Sequence, residues 1–306
     1  MRAPGWALLL GALGGTGCSP DAARVVEMAV TVDDLPAHGP LPASTTRSAV
    51  ARELITILQE HSVPEVYGFV NGKAAVEDPE GMVVVSLWTD AGFPLGNHTY
   101  SHLDANTVSA AEFDDDVVKN EPLLVRYSKG ETYRYLRFPF LRSGETREKH
   151  QALLQNLDRR GYTVAETSVD FYDWAWNEPY ARCVEKGDTA EIRKLEESYL
   201  DSATRHLDWS KAASQQIFGR QIPLVLLLHV GAFDARMLDR LLTSYERRGV
   251  RFIGLRRALE DDAYRDRDDL QSDPRLVFFP RHARRMSKEV PAGPGAPLQM
   301  LDQSCR

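Results

Sequence analysis

Two short segments of this chain carry residues that could do chemistry together. Thr31-Val32-Asp33-Asp34-Leu35-Pro36 sets two carboxylates side by side at the end of an apolar run. Gly96-Asn97-His98-Thr99-Tyr100-Ser101-His102 sets two imidazoles four residues apart after another apolar run. One carboxylate and two imidazoles can hold a divalent metal with open positions. The spare carboxylate is then available as a base toward activated water, the minimal equipment of a metal-dependent hydrolase. Each segment also has a plainer reading. Adjacent acids can cap a loop, and an i, i+4 histidine pair can be structural. Burying two neighbouring carboxylates is costly without a cation or donors, so the two segments together favour a metal. Thr99, not Glu, follows His98, which separates this pair from the HExxH metalloproteases.

Three further segments add polar groups next to apolar runs. Arg137-Phe138-Pro139-Phe140 follows a strand pattern. Its arginine could pair with a buried carboxylate and fix its orientation, or form a surface ion pair of little value. Asp170-Phe171-Tyr172-Asp173-Trp174 places two acids among aromatics, which suits a sugar or acyl pocket and equally suits core packing. Leu226-Leu227-Leu228-His229 ends an apolar run on a lone imidazole. Such a histidine is a candidate general acid at a strand end, or a structural side chain.

The elements that must position these groups alternate between strand and helix. The pattern predicts strands at Met28–Asp33, Val66–Val70, Met82–Ser86, Tyr133–Arg137, Tyr162–Glu166, Leu224–Leu228 and Arg251–Ile253. It predicts helices at Ser44–His61, Ala110–Ser128, Glu145–Arg160, Thr189–Phe218, Asp234–Arg248 and Arg256–Ala263. This alternation implies an α/β fold with a parallel sheet. About seven strands point to a distorted (β/α) barrel, whose chemistry belongs at the C-terminal strand ends. Asp33, Asp34, Arg137 and His229 fall there, and His98 follows the segment Gly92–Asn97. Asn177–Gly219 is a charged helical insertion, either a substrate-facing wall or padding. A catalytic domain is expected over 21–263. The Pro- and Gly-rich extension 264–306 is expected as an extended tail.

The formal charge of -7 disfavours a nucleic-acid or anionic-membrane partner. Residues 1–20 combine Arg2, a short apolar stretch and small residues, the pattern of an export signal too short to span a bilayer. Cys18 after small residues fits a lipoprotein-type signal, although Gly15 stands where such signals usually have Leu; an ordinary secretory signal is the alternative. The chain is therefore expected outside the cytoplasm, in a bacterial periplasm or cell envelope, anchored to a membrane only through a lipidated Cys18. In that setting Cys183 and Cys305 could form a disulfide or remain two thiols.

In their order along the chain, the five segments resemble the motifs of the NodB-homology polysaccharide deacetylases, carbohydrate esterase family 4. The resemblance covers roughly residues 27–260 and implies a NodB-like barrel. It implies that Asp34, His98 and His102 bind a divalent metal, usually zinc. It further implies Asp33 as general base, His229 as general acid, Arg137 orienting Asp33, and Asp173 bracing Arg137. Trp174 and Leu226 would line the pocket for the acetyl methyl group, and the Phe140 N–H would help hold the oxyanion. The expected substrate is an N- or O-acetylated carbohydrate. One residue departs from the pattern: Leu35 stands where the family has Gly. A side chain there is expected to narrow the mouth, and the 177–219 insertion to close the cleft further, which keeps a small amide substrate open. A non-catalytic glycan-binding lipoprotein and a two-histidine, one-carboxylate iron oxygenase are the readings from other classes.

Overall fold

The central strand β1 (Val26–Leu35) is apolar along most of its length, as a strand covered on both faces must be. Val26, Met28, Val30 and Val32 join the large core beneath the helices. Ala29 joins a smaller inner cluster with Tyr67, Phe69, Ala165, Val225 and Ile253. The computed structural model describes residues 25–265 and 273–306; the signal-like residues 1–20, with Cys18, lie outside them.

Around β1 stand β2 (Tyr67–Val70), β3 (Leu95–Asn97), β4 (Tyr135–Leu136), β5 (Thr163–Val164), β6 (Leu224–His229) and β7 (Val250–Ile253). All pairings are parallel, in the order β5-β4-β3-β2-β1-β6, with β7 also on β1. β6 runs beside Met28–Asp33. On the opposite edge of β1, β7 pairs the first half and β2 the second. The result is a half-barrel of seven parallel strands. Its register places Asp33 beside His229, and Asn97 beside Leu136, so His98 and Arg137 leave adjacent strand ends.

Helices cover the outside: α1 (Arg47–Glu60), α2 (Gly72–Glu77), α3 (Gly81–Asp90), α4 (Ala110–Tyr127), α5 (Arg147–Arg159), α6 (Asn177–Lys186), α7 (Thr189–Phe218) and α8 (Ala232–Arg247). Their starts are written in the sequence. Thr46, Ser109, Thr146 and Asp188 each accept a backbone N–H of the first turn, and Ser109 with Glu112 forms a capping box. The expected strand Met82–Ser86 is part of α3. Val84, Val85 and Trp88 are buried while Val83 is exposed, so packing selected the helical period over the β-propensity of the valines. The strand that belongs here is β3, three residues long.

The end of the chain is more than an extended tail. After the single turns α9 (Leu255–Ala258) and α10 (Asp262–Arg265) come α11 (Phe278–Arg285) and α12 (Leu298–Gln303). Phe278, Phe279 and Leu301 are buried. Cys183 of α6 is joined to Cys305 by a disulfide. Arg182 donates to the carbonyls of Leu301 and Ser304. Among the described residues, no helix is long and apolar enough to cross a membrane.

Candidate active site

The strand ends deliver the site in layers. At the bottom, Thr31 donates to the Leu226 carbonyl at 2.8 Å and accepts Arg137 Nη2 at 3.1 Å. Arg137 is 1% exposed, so its charge needs partners on every side. Its Nε donates to the Ala165 carbonyl at 2.6 Å, its Nη1 lies 3.4 Å from both Asp33 oxygens, and Phe69 stacks at 4.8 Å. Asp33, itself 2% exposed, is thereby held at the floor of the site.

One residue on, Asp34 adopts a left-handed φ of 63°, which turns its carboxylate away from that of Asp33. Its Oδ2 accepts from His38 Nδ1 at 2.8 Å. Its Oδ1 is buried with no hydrogen-bond partner, 3.5 Å from His98 Nε2 and 3.3 Å from His102 Nε2. His98 Nδ1 faces the Arg137 carbonyl at 2.8 Å. A carbonyl only accepts, so Nδ1 carries the hydrogen and the Nε2 lone pair faces Asp34 Oδ1. Thr99 and His102 take left-handed φ values of 62° and 56°, which folds the loop so that both imidazoles reach the same point. One carboxylate oxygen and two imidazole nitrogens thus converge on one point. This is a donor set suited to a divalent cation, and Asp34, His98 and His102 form a candidate metal site. Burial opposes ionisation of Asp34, yet the His38 and His98 contacts outweigh it and hold the carboxyl well below its ordinary range. Burial, with the neighbouring His98, pushes His102 down to about 4, so its imidazole is neutral at pH 7.

On the other side stands His229. Its backbone N–H donates to Asp173 Oδ2 at 2.6 Å and its Nδ1 meets Asp173 Oδ1 at 2.9 Å. That fixes the tautomer and leaves Nε2 toward the cleft. Burial opposes its protonation, but Asp173, with Asp34 and Asp33 beyond, lifts its pKa to about 10. Asp173 therefore braces His229, not Arg137 as expected; Arg137 is instead saturated by Asp33, Thr31 and Ala165.

The expected pocket residues are met unevenly. Phe140 has a φ of 59° and is 56% exposed, with its ring 4.5 Å from that of His102. Trp174 is 43% exposed and Tyr172 37%, on and beside the turn that carries Asp173. Leu226 does not face the site. Alternation along β6 turns it outward into the core under the helices. Leu227 shares the face of His229 and is the leucine on the site side.

Leu35 does not narrow the mouth either. It is fully buried, in the space left by Gly68, where an added Cβ would lie 2.7 Å from Leu35 Cδ2. The residue that does crowd the site is His38, whose ring lies 4.8 Å from that of His229. Only its i+4 spacing from Asp34 pointed to it in the sequence. The insertion is a buttress behind the site: Asn177 Nδ2 donates to the Pro40 carbonyl at 2.9 Å, and its Oδ1 accepts from the Phe233 N–H at 3.2 Å.

Residues 22–165 match the family model described as polysaccharide deacetylase. The peptidoglycan-N-acetylglucosamine deacetylase of Bacillus cereus is 26% identical over 229 residues, covering 75% of this chain and 66% of that protein. The chain thus spans just under two thirds of that relative's length. The chitin deacetylase structure from the fungal pathogen Colletotrichum lindemuthianum superposes with a TM-score of 0.52 at 20% identity, over 78% of this chain and 88% of that one. A family 4 pseudoenzyme from Bacillus anthracis superposes with a TM-score of 0.50 at 16% identity, over 74% and 64%. The half-barrel is the fold these chains share.

Proposed function

This chain belongs to the polysaccharide deacetylase family, and from that premise we propose that it is a metal-dependent hydrolase removing acetyl groups from an N- or O-acetylated carbohydrate. The observation that carries this reading is the unpartnered Asp34 Oδ1 facing two imidazole nitrogens, with Asp33 and His229 on either side. Asp34, His98 and His102 would hold the metal, with zinc as the proposed ion. When bound, it would supply Lewis acidity toward the acyl carbonyl and acidify water.

The chain's own residues account for the proton movements. Asp33, oriented by Arg137, takes a proton from the water that attacks the acyl carbon. The Phe140 N–H is the proposed donor to the developing oxyanion. His229, protonated near neutrality, gives the Nε2 proton to the departing nitrogen or oxygen and is oriented by Asp173. Leu227 and Trp174 would bound the acetyl methyl group.

A carbohydrate is favoured over a small amide because both expected obstructions lie elsewhere: Leu35 is in the core and the insertion lies behind the site. Phe140, Tyr172 and Trp174 offer exposed aromatic faces on which a sugar ring can stack. The disulfide supports an oxidising, extracytoplasmic location.

The test is acetate release from chitooligosaccharide, acetylxylan and peptidoglycan, with and without chelator. We expect chelator-sensitive release in the wild type and a loss of at least about 100-fold in Asp33→Asn, the scale of a missing general base. Activity undiminished by Asp33→Asn would refute the mechanism. Glycan binding without acetate release would make the chain a binding protein.

A further inference from the structure

Behind His229 lies a second carboxyl that the proposed reaction does not use. Asp234, in the first turn of α8, is fully buried, as is Asp173. Asp173 is the neighbouring carboxyl that acts most strongly on Asp234. Their donors can be counted. Both Asp173 oxygens already accept from His229. Asp234 Oδ1 accepts from Tyr199 of α7 at 2.8 Å. Asp234 Oδ2 is buried and has no donor. Gly231 N–H, placed to cap the turn, is spent on the His229 carbonyl. A Cβ at Gly231 would sit 2.6 Å from Asp234 Oδ2, so this glycine leaves the oxygen its space.

Two neighbouring ionised carboxylates, both out of water, repel strongly. An orphaned buried oxygen is costly as well. A single proton on Oδ2 removes both penalties: Asp234 becomes neutral, and its O–H finds an acceptor in Asp173. Burial, with the adjacent Asp173, acts in the same direction and pushes the Asp234 carboxyl well above its ordinary range.

We propose that Asp234 is a neutral carboxylic acid that donates its hydrogen to the Asp173 carboxylate, and that the chain Tyr199–Asp234–Asp173 positions the His229 imidazole. This rests on the reading of His229 as general acid. Asp234 is a positioning residue, acting through Asp173. Tyr199 comes from the 30-residue helix α7, so the insertion gains a role: it anchors the far end of the chain of hydrogen bonds that orients the acid.

Infrared spectroscopy of the metal-loaded protein at neutral pH, with kinetics of two variants, tests this. The wild type is expected to show a protonated-carboxyl stretch that is absent in Asp234→Asn and retained in Asp170→Asn. The amide of Asp234→Asn still donates to Asp173 and accepts from Tyr199, so kcat is expected within about 3-fold of wild type. Asp234→Ala removes the donor, and kcat is expected to fall about 10- to 100-fold, as for other lost outer-shell partners, with KM unchanged. A carboxyl band that persists in Asp234→Asn overturns the proposal, as does a kcat in Asp234→Asn as low as in Asp234→Ala. If His229→Ala retains full activity while the band still vanishes in Asp234→Asn, the general-acid reading fails and the placement of the proton stands.

Discussion

His38 is the residue that changes the chemistry of the candidate site most. By donating to Asp34 Oδ2 at 2.8 Å, it commits that oxygen and presents Oδ1 to His98 and His102. Orienting partners of this kind are typically worth about 10- to 100-fold in metal affinity. We therefore expect His38→Ala to bind zinc about 10- to 100-fold more weakly in a chelator competition, with the far-ultraviolet circular dichroism of the wild type. Wild-type affinity in that variant would refute the role. The five motif segments were legible because their residue types are chemically expensive to bury and fall at strand ends. Side-chain direction was less legible. Leu226 and Leu227 are equivalent as residue types, and only the strand's alternation distinguishes the one facing the helices from the one beside His229. Leu35 fits the core because Gly68, 33 positions away and on a paired strand, has no Cβ; no local pattern carries that information.

At the scale of elements, capped and periodic helices were readable while the strand β3 was not. α4, α5 and α7 begin where polar caps precede amphipathic runs. β3 is Leu95-Gly96-Asn97, too short for alternation and built around a residue with low strand propensity. Its glycine is required by packing. A Cβ at Gly96 would lie 2.4 Å from the Phe69 ring, with the Tyr135 carbonyl at 3.1 Å on a neighbouring strand. Phe69 in turn lies against the Arg137 guanidinium, which holds Asp33. Gly96→Ala should therefore push through Phe69 onto Arg137. We expect a loss of about 1–3 kcal/mol of stability, the usual cost of overpacking, together with reduced kcat. Chemical denaturation and acetate release measure the two effects. Unchanged stability would show that β3 can shift without strain, and would remove this explanation for its glycine.

At the scale of the whole molecule, Val169, beyond β5, bridges in parallel to Leu226 of β6, and the end of the chain is folded back against the outside. α11 packs on α7, and α12 packs on the turn Asp173–Trp176 that carries the partner of His229. Composition did not show this, because Pro291–Pro297 looks like a linker; the anchoring residues, Phe278, Phe279 and Leu301, are few and scattered. The Cys183–Cys305 disulfide spans 122 positions, so it closes a loop enclosing α7, α8 and most of the C-terminal half. Cross-linking so long a loop restricts the unfolded chain more than the folded one, with typical gains of about 2–4 kcal/mol. Arg182 and Ser304 hold the same junction without the bridge, through hydrogen bonds from Arg182 to the Ser304 carbonyl and from Ser304 Oγ to Glu191. The native arrangement should therefore survive reduction at low temperature while its margin against unfolding shrinks. We expect the double variant Cys183→Ala/Cys305→Ala to keep its activity at 25 °C and to unfold at lower denaturant concentration, by about 2–4 kcal/mol. The wild type treated with reductant should match it. An unchanged unfolding midpoint would mean that the apolar contacts of α11 and α12 alone secure the end of the chain. A loss of activity with stability intact would instead tie the bridge to the Asp173 turn.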